Sequence, residues 1–249
     1  MFGGSAFSPE QRAGVYEAIR ERRDARVFLP DPVPEEVLAR LLHAAHHGPS
    51  VGYMQPWNFI AIRSAEVKTQ IKALFLRARQ VEAGDFTGER QNLYASLKLE
   101  GIVEAPINLC VTCDPARFGP AGLGRHFAPE APFYSTCCAV QNLWLAARAE
   151  GIGVGWVSIL ELEGLRKVLQ LPPPIIPVAY LCLGYVPEFA RRPLLEEVSW
   201  APRLPLAALV YEERWEGEQT EALRHALQHE VQTCGCQKGR ANDATREKS

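Results

Sequence analysis

The chain has 249 residues, of which 47% are hydrophobic and 22% are charged. Its 27 basic and 29 acidic residues give a net charge of −2, which excludes the strongly basic balance typical of a nucleic-acid-binding domain. The composition is that of a globular protein and excludes collagen-like, fibrous and disordered chains. No run of eighteen apolar residues occurs, so the sequence predicts no membrane span.

The cysteine content is moderate, at seven residues. The first residues, MFGGSAFSPEQR, lack the basic and apolar regions of a secretory signal, so we expect reduced thiols in a cytoplasmic protein. Cys110 and Cys113 form a CxxC motif inside an apolar, strand-like run, where residues three apart point to opposite faces. Buried thiols are the favoured interpretation, and a redox pair is the alternative.

Helices dominate the first part of the chain. Ser8-Pro9-Glu10-Gln11 predicts a helix start, since Ser is a good N-cap, Pro fits the first helical position and Gln completes a capping box. A second helix is predicted from an apolar face formed by Val37, Leu38, Leu41, Leu42 and Ala45. We then expect a strand at 56–63, helices at 65–82 and 89–101, and a strand at 106–113.

A Gly- and Pro-rich loop at 114–132 precedes a predicted helix at 134–150, whose apolar face consists of Val140, Leu143, Trp144 and Ala147. A strand at 153–160, a short helix at 161–170 and a buried strand within 175–186 are predicted to follow. The strand-like run LAALVY lies in a C-terminal arm. Because helices outnumber the strands and separate them, the pattern favours one α+β or α/β domain.

We expect this single domain to cover 8–216. A C-terminal helix and Cys-Gly-Cys segment at 217–236 would follow, and the polar, aperiodic residues 237–249 predict a disordered tail.

Three segments carry candidate chemistry. Arg20, Arg22, Arg23 and Arg26 fall within seven residues, and guanidinium groups fit phosphate or carboxylate oxygens, although a solvated helix end is the alternative. The stiff loop at 48–57, GPSVGYMQPW, is typical of a binding loop or of a structural turn. Glycines at alternate positions in GIGVGWVS, 151–158, permit either close approach of a flat ligand or tight packing. This segment precedes a strand, which excludes a dinucleotide-binding GxGxxG loop.

Together, RRDAR, HHGPSVGYMQPWNF, YSTCCAVQNLWLAARAEGIGVGWVSIL and PVAYLCLGY resemble the nitroreductase-type flavoprotein superfamily, in the right order over about residues 10–215. Asp24 replaces the Ser usual in nitroreductases, and the usual Asn is absent after Ser50. Asp24 together with Gly155-Trp156-Val157-Ser158 is similar to the 5,6-dimethylbenzimidazole synthase branch. The resemblance implies a nitroreductase-like α+β fold, with a central mixed sheet flanked by helices and an extended C-terminal arm.

The resemblance also implies an FMN site. Arg22, Arg23 and Arg26 would hold the phosphate and ribityl chain, with Asp24 and Ala25 in the same motif. The remaining implied contacts are Ser50 and Gln55 at the ribityl tail and ring edge, Leu99 in the pocket wall, the backbone of Gly155, Trp156, Val157 and Ser158 against the ring, and Arg203 at the phosphate.

The implied reaction is the oxygen-dependent fragmentation of reduced FMN to 5,6-dimethylbenzimidazole, the lower ligand of cobalamin, and erythrose 4-phosphate. FMN would be a consumed substrate and dioxygen a co-substrate. Asp24, ionised among three guanidinium groups, would remove a proton from the ribityl chain, and Ser158 would position the ring or relay a proton. The alternatives are an NAD(P)H-dependent flavin reductase or nitroreductase that recycles FMN, and a flavin-binding protein without turnover.

The resemblance further implies partners and mobile parts. We expect a separate NAD(P)H-dependent flavin reductase to supply reduced FMN. We also expect a homodimer with FMN at its interface, to which the apolar face of 134–150 and the C-terminal arm would contribute. Residues 84–100 and 114–132 are candidate lids.

Two histidine groups have a spacing that could bind a metal: His43, His46 and His47, and then His225 and His229 with Cys234 and Cys236. The first has no Cys or carboxylate at matching spacing, and the second lies beyond the recognisable domain. We therefore expect no metal.

Overall fold

The computed structural model describes residues 6–119 and 121–233. They fall into two compact units that divide between Leu194 and Leu195. The predicted domain bounds of 8–216 and 217–236 stay a prediction, and Cys234, Cys236 and the tail at 237–249 lie outside the described residues. None of the described helices is long and apolar enough to cross a membrane.

The first unit contains most of the predicted elements. Its helices are α1 (Pro9–Glu21), α2 (Glu35–His46), α3 (Ala65–Ala83), α4 (Gly88–Ser96), α5 (Ala131–Ala149) and α6 (Leu162–Val168). Its strands are β1 (Trp57–Ile62), β2 (Ile107–Cys113), β3 (Ile152–Trp156) and β4 (Ile176–Tyr185), and a 3₁₀ turn covers Val51–Tyr53. A short helix, α7 (Leu194–Glu197), lies at the division, and the second unit holds a 3₁₀ turn (Leu206–Leu209) and α8 (Glu221–Thr233).

The predicted capping box at the start of α1 is confirmed. The Ser8 hydroxyl accepts a hydrogen bond from the Gln11 backbone N–H at 3.3 Å, and the Gln11 side chain accepts one from the Ser8 N–H at 3.0 Å. These two bonds satisfy N–H groups that a helix start leaves open.

The four strands form one sheet in the order β1-β2-β4-β3, and every neighbouring pair is antiparallel. The predicted mixed character is confined to a single parallel bridge between Asp24 and Val154. The reason is that residues 22–26 run beside the edge strand β3 for too short a distance to form a fifth strand.

Helices cover both faces of the sheet. On one face, α2 and α5 pack against buried residues that include Leu109, Val111 and Leu181. On the other face, residues of α3 and α6 enclose Cys110 and Cys182. Cys110 and Cys113 are both free and buried, as predicted, and burial raises the pKa of the Cys110 thiol to about 12.

The apolar face of α5 lies inside the core of the same unit. Val140, Leu143, Trp144 and Ala147 are all buried against the sheet. The expectation that this face contributes to a subunit interface is therefore wrong, because the sheet of the same chain already covers it.

Three predicted elements differ in extent or type. Helix α4 ends at Ser96 because Leu97 is extended, and β3 ends at Trp156, not at residue 160. The LAALVY run forms a 3₁₀ turn after Pro205, not a strand. The Gln219 side chain donates to the carbonyls of Ala207 and Val210, at 2.7 and 2.6 Å, so these acceptors are satisfied without a neighbouring strand.

Substitution of Leu143, which is fully buried in the core, tests this packing. We expect Leu143→Ala to lower the free energy of unfolding by about 2–5 kcal/mol, because it leaves a cavity between α5 and the sheet. Leu76→Ala, at a side chain of α3 that is 52% exposed, is the matched control and should change it by about 0.5 kcal/mol or less. Urea denaturation followed by circular dichroism measures both, and equal losses would contradict this core.

Candidate active site

The two motifs that begin at Arg22 and Gly151 meet at the open edge of β3. The Ala25 N–H donates to the Val154 carbonyl at 2.9 Å. The Asp24 carboxylate accepts a hydrogen bond through Oδ1 from the Trp156 backbone N–H at 2.9 Å. Residues far apart in the sequence are therefore brought together at this edge of the sheet.

Glycine at position 155 makes this approach possible. A Cβ atom there would lie 2.0 Å from the Ala25 carbonyl oxygen, which is closer than van der Waals contact allows. The bare surface of Gly155 is thus covered by Ala25 of the same chain. Tight packing, the alternative interpretation of the glycines, is correct here, and the contact of Gly155 with a cofactor stays a prediction.

The Asp24 carboxylate pairs with one guanidinium group. Arg26 Nη2 lies 3.0 Å from Asp24 Oδ1. Arg22 instead places its guanidinium 4.6 Å from the centre of the Trp144 ring. Arg23 donates to the backbone carbonyls of Arg20, Arg22 and Arg191 at 2.6–2.8 Å. The expectation of a carboxylate surrounded by three guanidinium groups is therefore wrong, since two of them serve the ring and the backbone.

The two contacts of Asp24 leave half of its carboxylate open. The Trp156 N–H and Arg26 both contact Oδ1, and no residue in the described part of the chain donates a hydrogen bond to Oδ2. The side chain is 47% exposed. Asp24 is thus anchored by one oxygen and presents the other.

The arginine motif contains buried donors without partners. Arg26 Nη1 and Arg23 Nε are buried and have no hydrogen-bond acceptor among residues 6–119 and 121–233. An unsatisfied buried donor is costly, and a phosphate oxygen would satisfy it. The arginine motif therefore fits the anionic end of FMN.

A second group of predicted residues lies in the loop before β1. The Ser50 hydroxyl accepts from the Gln55 N–H at 3.0 Å, and the Gln55 side chain donates to the Tyr53 carbonyl at 3.1 Å. Gly52, Tyr53 and Gln55 all have φ near +50°. For Tyr53 and Gln55 this left-handed conformation costs roughly 1–3 kcal/mol each, and such backbone strain is concentrated at functional sites.

Helix α5 contacts both groups at different points. Ser135 Oγ accepts from the Val51 N–H at 3.0 Å near the helix start, and Trp144 Nε1 donates to the Arg23 carbonyl at 3.3 Å. Nine residues of helix separate the two contacts by about 13 Å along the axis. One helix therefore sets the spacing of the loop and the arginine motif.

The remaining predicted residues occupy three different environments. Ser158 is exposed, just after Val157, whose N–H donates to the Tyr180 carbonyl at 2.8 Å. Leu99 is half-buried and packs against the core cluster beneath α3 and α6. Arg203 belongs to the second unit, so its phosphate contact stays a prediction.

Two residues of the site were missed from the sequence. Trp144 was assigned only to an apolar helix face, yet its ring lies beneath Arg22. Arg117 lies in a loop without a motif and binds the backbone of the Gln55 loop. Neither contact has a local sequence signal.

The described chain holds no group of three or more His, Cys, Asp or Glu side chains able to bind a metal ion. His46 Nδ1 accepts from Trp57 Nε1 at 3.1 Å. His47 Nδ1 lies 2.8 Å from the His43 carbonyl, so these side chains already have partners in the fold.

Comparison with known proteins identifies the family of this chain. The model of the Nitroreductase family matches residues 19–185, and the chain belongs to that family. It is 43% identical to the 5,6-dimethylbenzimidazole synthase of Rhodospirillum rubrum over 205 residues, 82% of this chain and 97% of that one. It is also 41% identical to the 5,6-dimethylbenzimidazole synthase of Rhodobacter capsulatus over 202 residues, 80% and 96% of the two chains. The predicted branch is thereby confirmed, and the chain is an enzyme of this kind.

The fold is confirmed by solved structures. A crystal structure of iodotyrosine deiodinase bound to FMN and 3-iodo-L-tyrosine matches with a TM-score of 0.59 at 22% identity. The match covers 72% of this chain and 96% of that one. At this identity the likeness establishes the nitroreductase-like fold alone.

Gly155→Ala tests the contact between β3 and Ala25. We expect a loss of about 1–3 kcal/mol in the free energy of unfolding, because the new Cβ displaces residues 24–26 from the strand. Gly14→Ala, where a Cβ meets no atom within 4 Å in the exposed helix α1, should instead stabilise by about 0.5–1 kcal/mol. Urea denaturation distinguishes the two, and stabilisation by Gly155→Ala would contradict the contact.

Proposed function

We propose that this enzyme fragments reduced FMN with dioxygen to give 5,6-dimethylbenzimidazole and erythrose 4-phosphate, so that FMN is a consumed substrate. The similarity to two synthases of that name over about four fifths of the chain supports the reaction class. The observation that carries the proposal is the half-exposed Asp24 carboxylate, anchored by one oxygen beside buried guanidinium donors without partners.

The arginine motif would bind the phosphate end of FMN. Arg26 Nη1 and Arg23 Nε supply the open donors, and Arg22 adds positive charge while it stacks on Trp144. Ser50, Gln55 and Leu99 would contact the ribityl chain and ring, with Arg203 at the phosphate. When bound and reduced, FMN supplies the electrons and the ring that react with dioxygen.

Asp24 would act as the base. Oδ1 is held by the Trp156 N–H and by Arg26, while Oδ2 is open to take a proton. Its contribution as a base depends on its placement beside the bound substrate. Ser158, two residues beyond Trp156, would hold the ring or relay the proton.

The proposal includes partners. The electrons must arrive with the substrate, so a separate NAD(P)H-dependent flavin reductase would supply reduced FMN in the cytoplasm. A homodimer would place FMN between two copies. Helix α1 has no buried residue, and Val15, Tyr16 and Ile19 expose apolar surface on it that a second copy would cover.

The deciding experiment mixes purified protein with chemically reduced FMN in air and separates the mixture by chromatography. Accumulation of 5,6-dimethylbenzimidazole, with matching loss of FMN, is the expected result. Intact FMN with steady NADH oxidation in the presence of a nitroaromatic compound would instead identify a reductase that recycles FMN. Bound, intact FMN without either reaction would identify a binding protein.

Asp24→Asn separates catalysis from binding. The Asn side-chain oxygen can still accept from the Trp156 N–H, but an amide is not protonated near neutral pH and cannot act as a base. We therefore expect the rate of product formation to fall on the order of 10²–10⁴-fold. FMN affinity, measured by fluorescence titration, should stay within about threefold of wild type because the arginine donors remain. Unchanged product formation would remove Asp24 from the role of base.

A further inference from the structure

Arg117 ties the loop after β2 to the loop before β1. Its Nη1 donates to the carbonyl of Gln55 and, at 3.1 Å, to that of Trp57. Its Nη2 donates to Asn58 Oδ1 at 2.6 Å. Its Nε lies 3.7 Å from the Asp114 carboxylate. All three guanidinium nitrogens are therefore engaged with protein atoms.

The conformation that Arg117 holds is an unfavourable one. Gln55 has φ of +48°, in the left-handed region that residues other than glycine rarely adopt. It also precedes Pro56, and a residue before proline strongly prefers an extended conformation with negative φ. Such a backbone persists only where its surroundings over-determine it.

Few contacts are available to hold Gln55 in this state. Its N–H donates to Ser50 Oγ, its side chain donates to the Tyr53 carbonyl, and its carbonyl accepts from Arg117. Among the hydrogen bonds of the described residues, the one from Arg117 alone comes from outside the loop. The base of the Arg117 loop is itself fixed, because the Asp114 N–H donates to the Pro56 carbonyl at 2.7 Å. Arg117 thus braces the loop against the end of the β1–β2 pair.

We propose that Arg117 is a positioning residue for the flavin, which keeps Gln55 in its left-handed conformation and so keeps the loop ready to bind. The inference rests on the proposed function, in which Ser50 and Gln55 contact FMN. The Arg117 side chain is only 25% exposed and its nitrogens are engaged, which assigns it to the support of the loop and not to the ligand. Without Arg117, the binding energy of FMN must also order the loop.

The test uses Arg117→Met, which keeps the aliphatic stem and removes the donors. If the loop has its binding-competent conformation in only about one tenth of the protein molecules, the Kd for oxidised FMN rises about tenfold. The KM for reduced FMN should rise by a similar factor, while kcat at saturation changes by less than about twofold. The reason is that the substitution weakens the ordering of the loop before binding and leaves the reacting groups in place.

Arg166→Met is the matched control. Like Arg117, Arg166 donates to three oxygens, here the backbone carbonyls of Pro172, Pro173 and Ile175, but it braces the turn after α6. Thermal unfolding should show losses of similar size for both variants, and FMN affinity should fall only for Arg117→Met. Equal affinities in both variants would reduce Arg117 to a structural contact and overturn the proposal.

A double variant identifies the mechanism. Glycine adopts φ of +48° freely, so in a Gln55→Gly background Arg117→Met should raise the FMN Kd by less than about threefold. An undiminished tenfold effect there would overturn the proposal. If Arg117→Met does not fold, Arg117→Lys replaces it in both backgrounds, since a single ammonium group lacks the planar fork whose two nitrogens bind the carbonyls and Asn58.

The same measurements distinguish this inference from the proposed function. Wild-type protein that binds FMN but forms no 5,6-dimethylbenzimidazole contradicts the proposed reaction, while the FMN affinities still decide the role of Arg117. Wild-type protein that binds no FMN contradicts both.

Discussion

The candidate site depends on the contact between residues 24–26 and the edge of β3. Two hydrogen bonds, from the Ala25 N–H to Val154 and from the Trp156 N–H to Asp24, join segments that are far apart in the sequence. This approach is possible only because position 155 carries no side chain. The contact of residues 24–26 with β3 therefore also fixes the position of the Asp24 carboxylate and places Arg26 beside it.

The arginines of this motif have different tasks despite their proximity in sequence. Arg26 balances the charge of Asp24, Arg22 stacks on Trp144 and Arg23 satisfies backbone carbonyls. Of these three guanidinium groups, only that of Arg26 forms an ion pair with the Asp24 carboxylate. A cluster of like charges is thus held together by a ring, a carboxylate and carbonyl groups, with buried donors left for an anion.

Much of the fold and part of the site could be predicted from local patterns. The capping box of α1, the buried faces of α2 and α5, and the buried β2 follow from residue type and periodicity, which act over a few residues. The end of β3 and the turn at 206–209 were predicted wrongly. Both depend on hydrogen bonds to residues distant in the sequence, which periodicity does not report. At the turn, the Gln219 side chain donates to the carbonyls of Ala207 and Val210.

The order and composition of the motifs are enough to assign the family and to show which chemical groups the site can use: guanidinium groups, one carboxylate and a stiff loop. What each of these groups touches depends on the tertiary structure. It placed Ala25 on the bare face of Gly155, buried the apolar face of α5 in its own core, and brought Arg117 to the strained Gln55. The physical reason is that residue type fixes what a side chain can bind, whereas its partner depends on how distant segments pack.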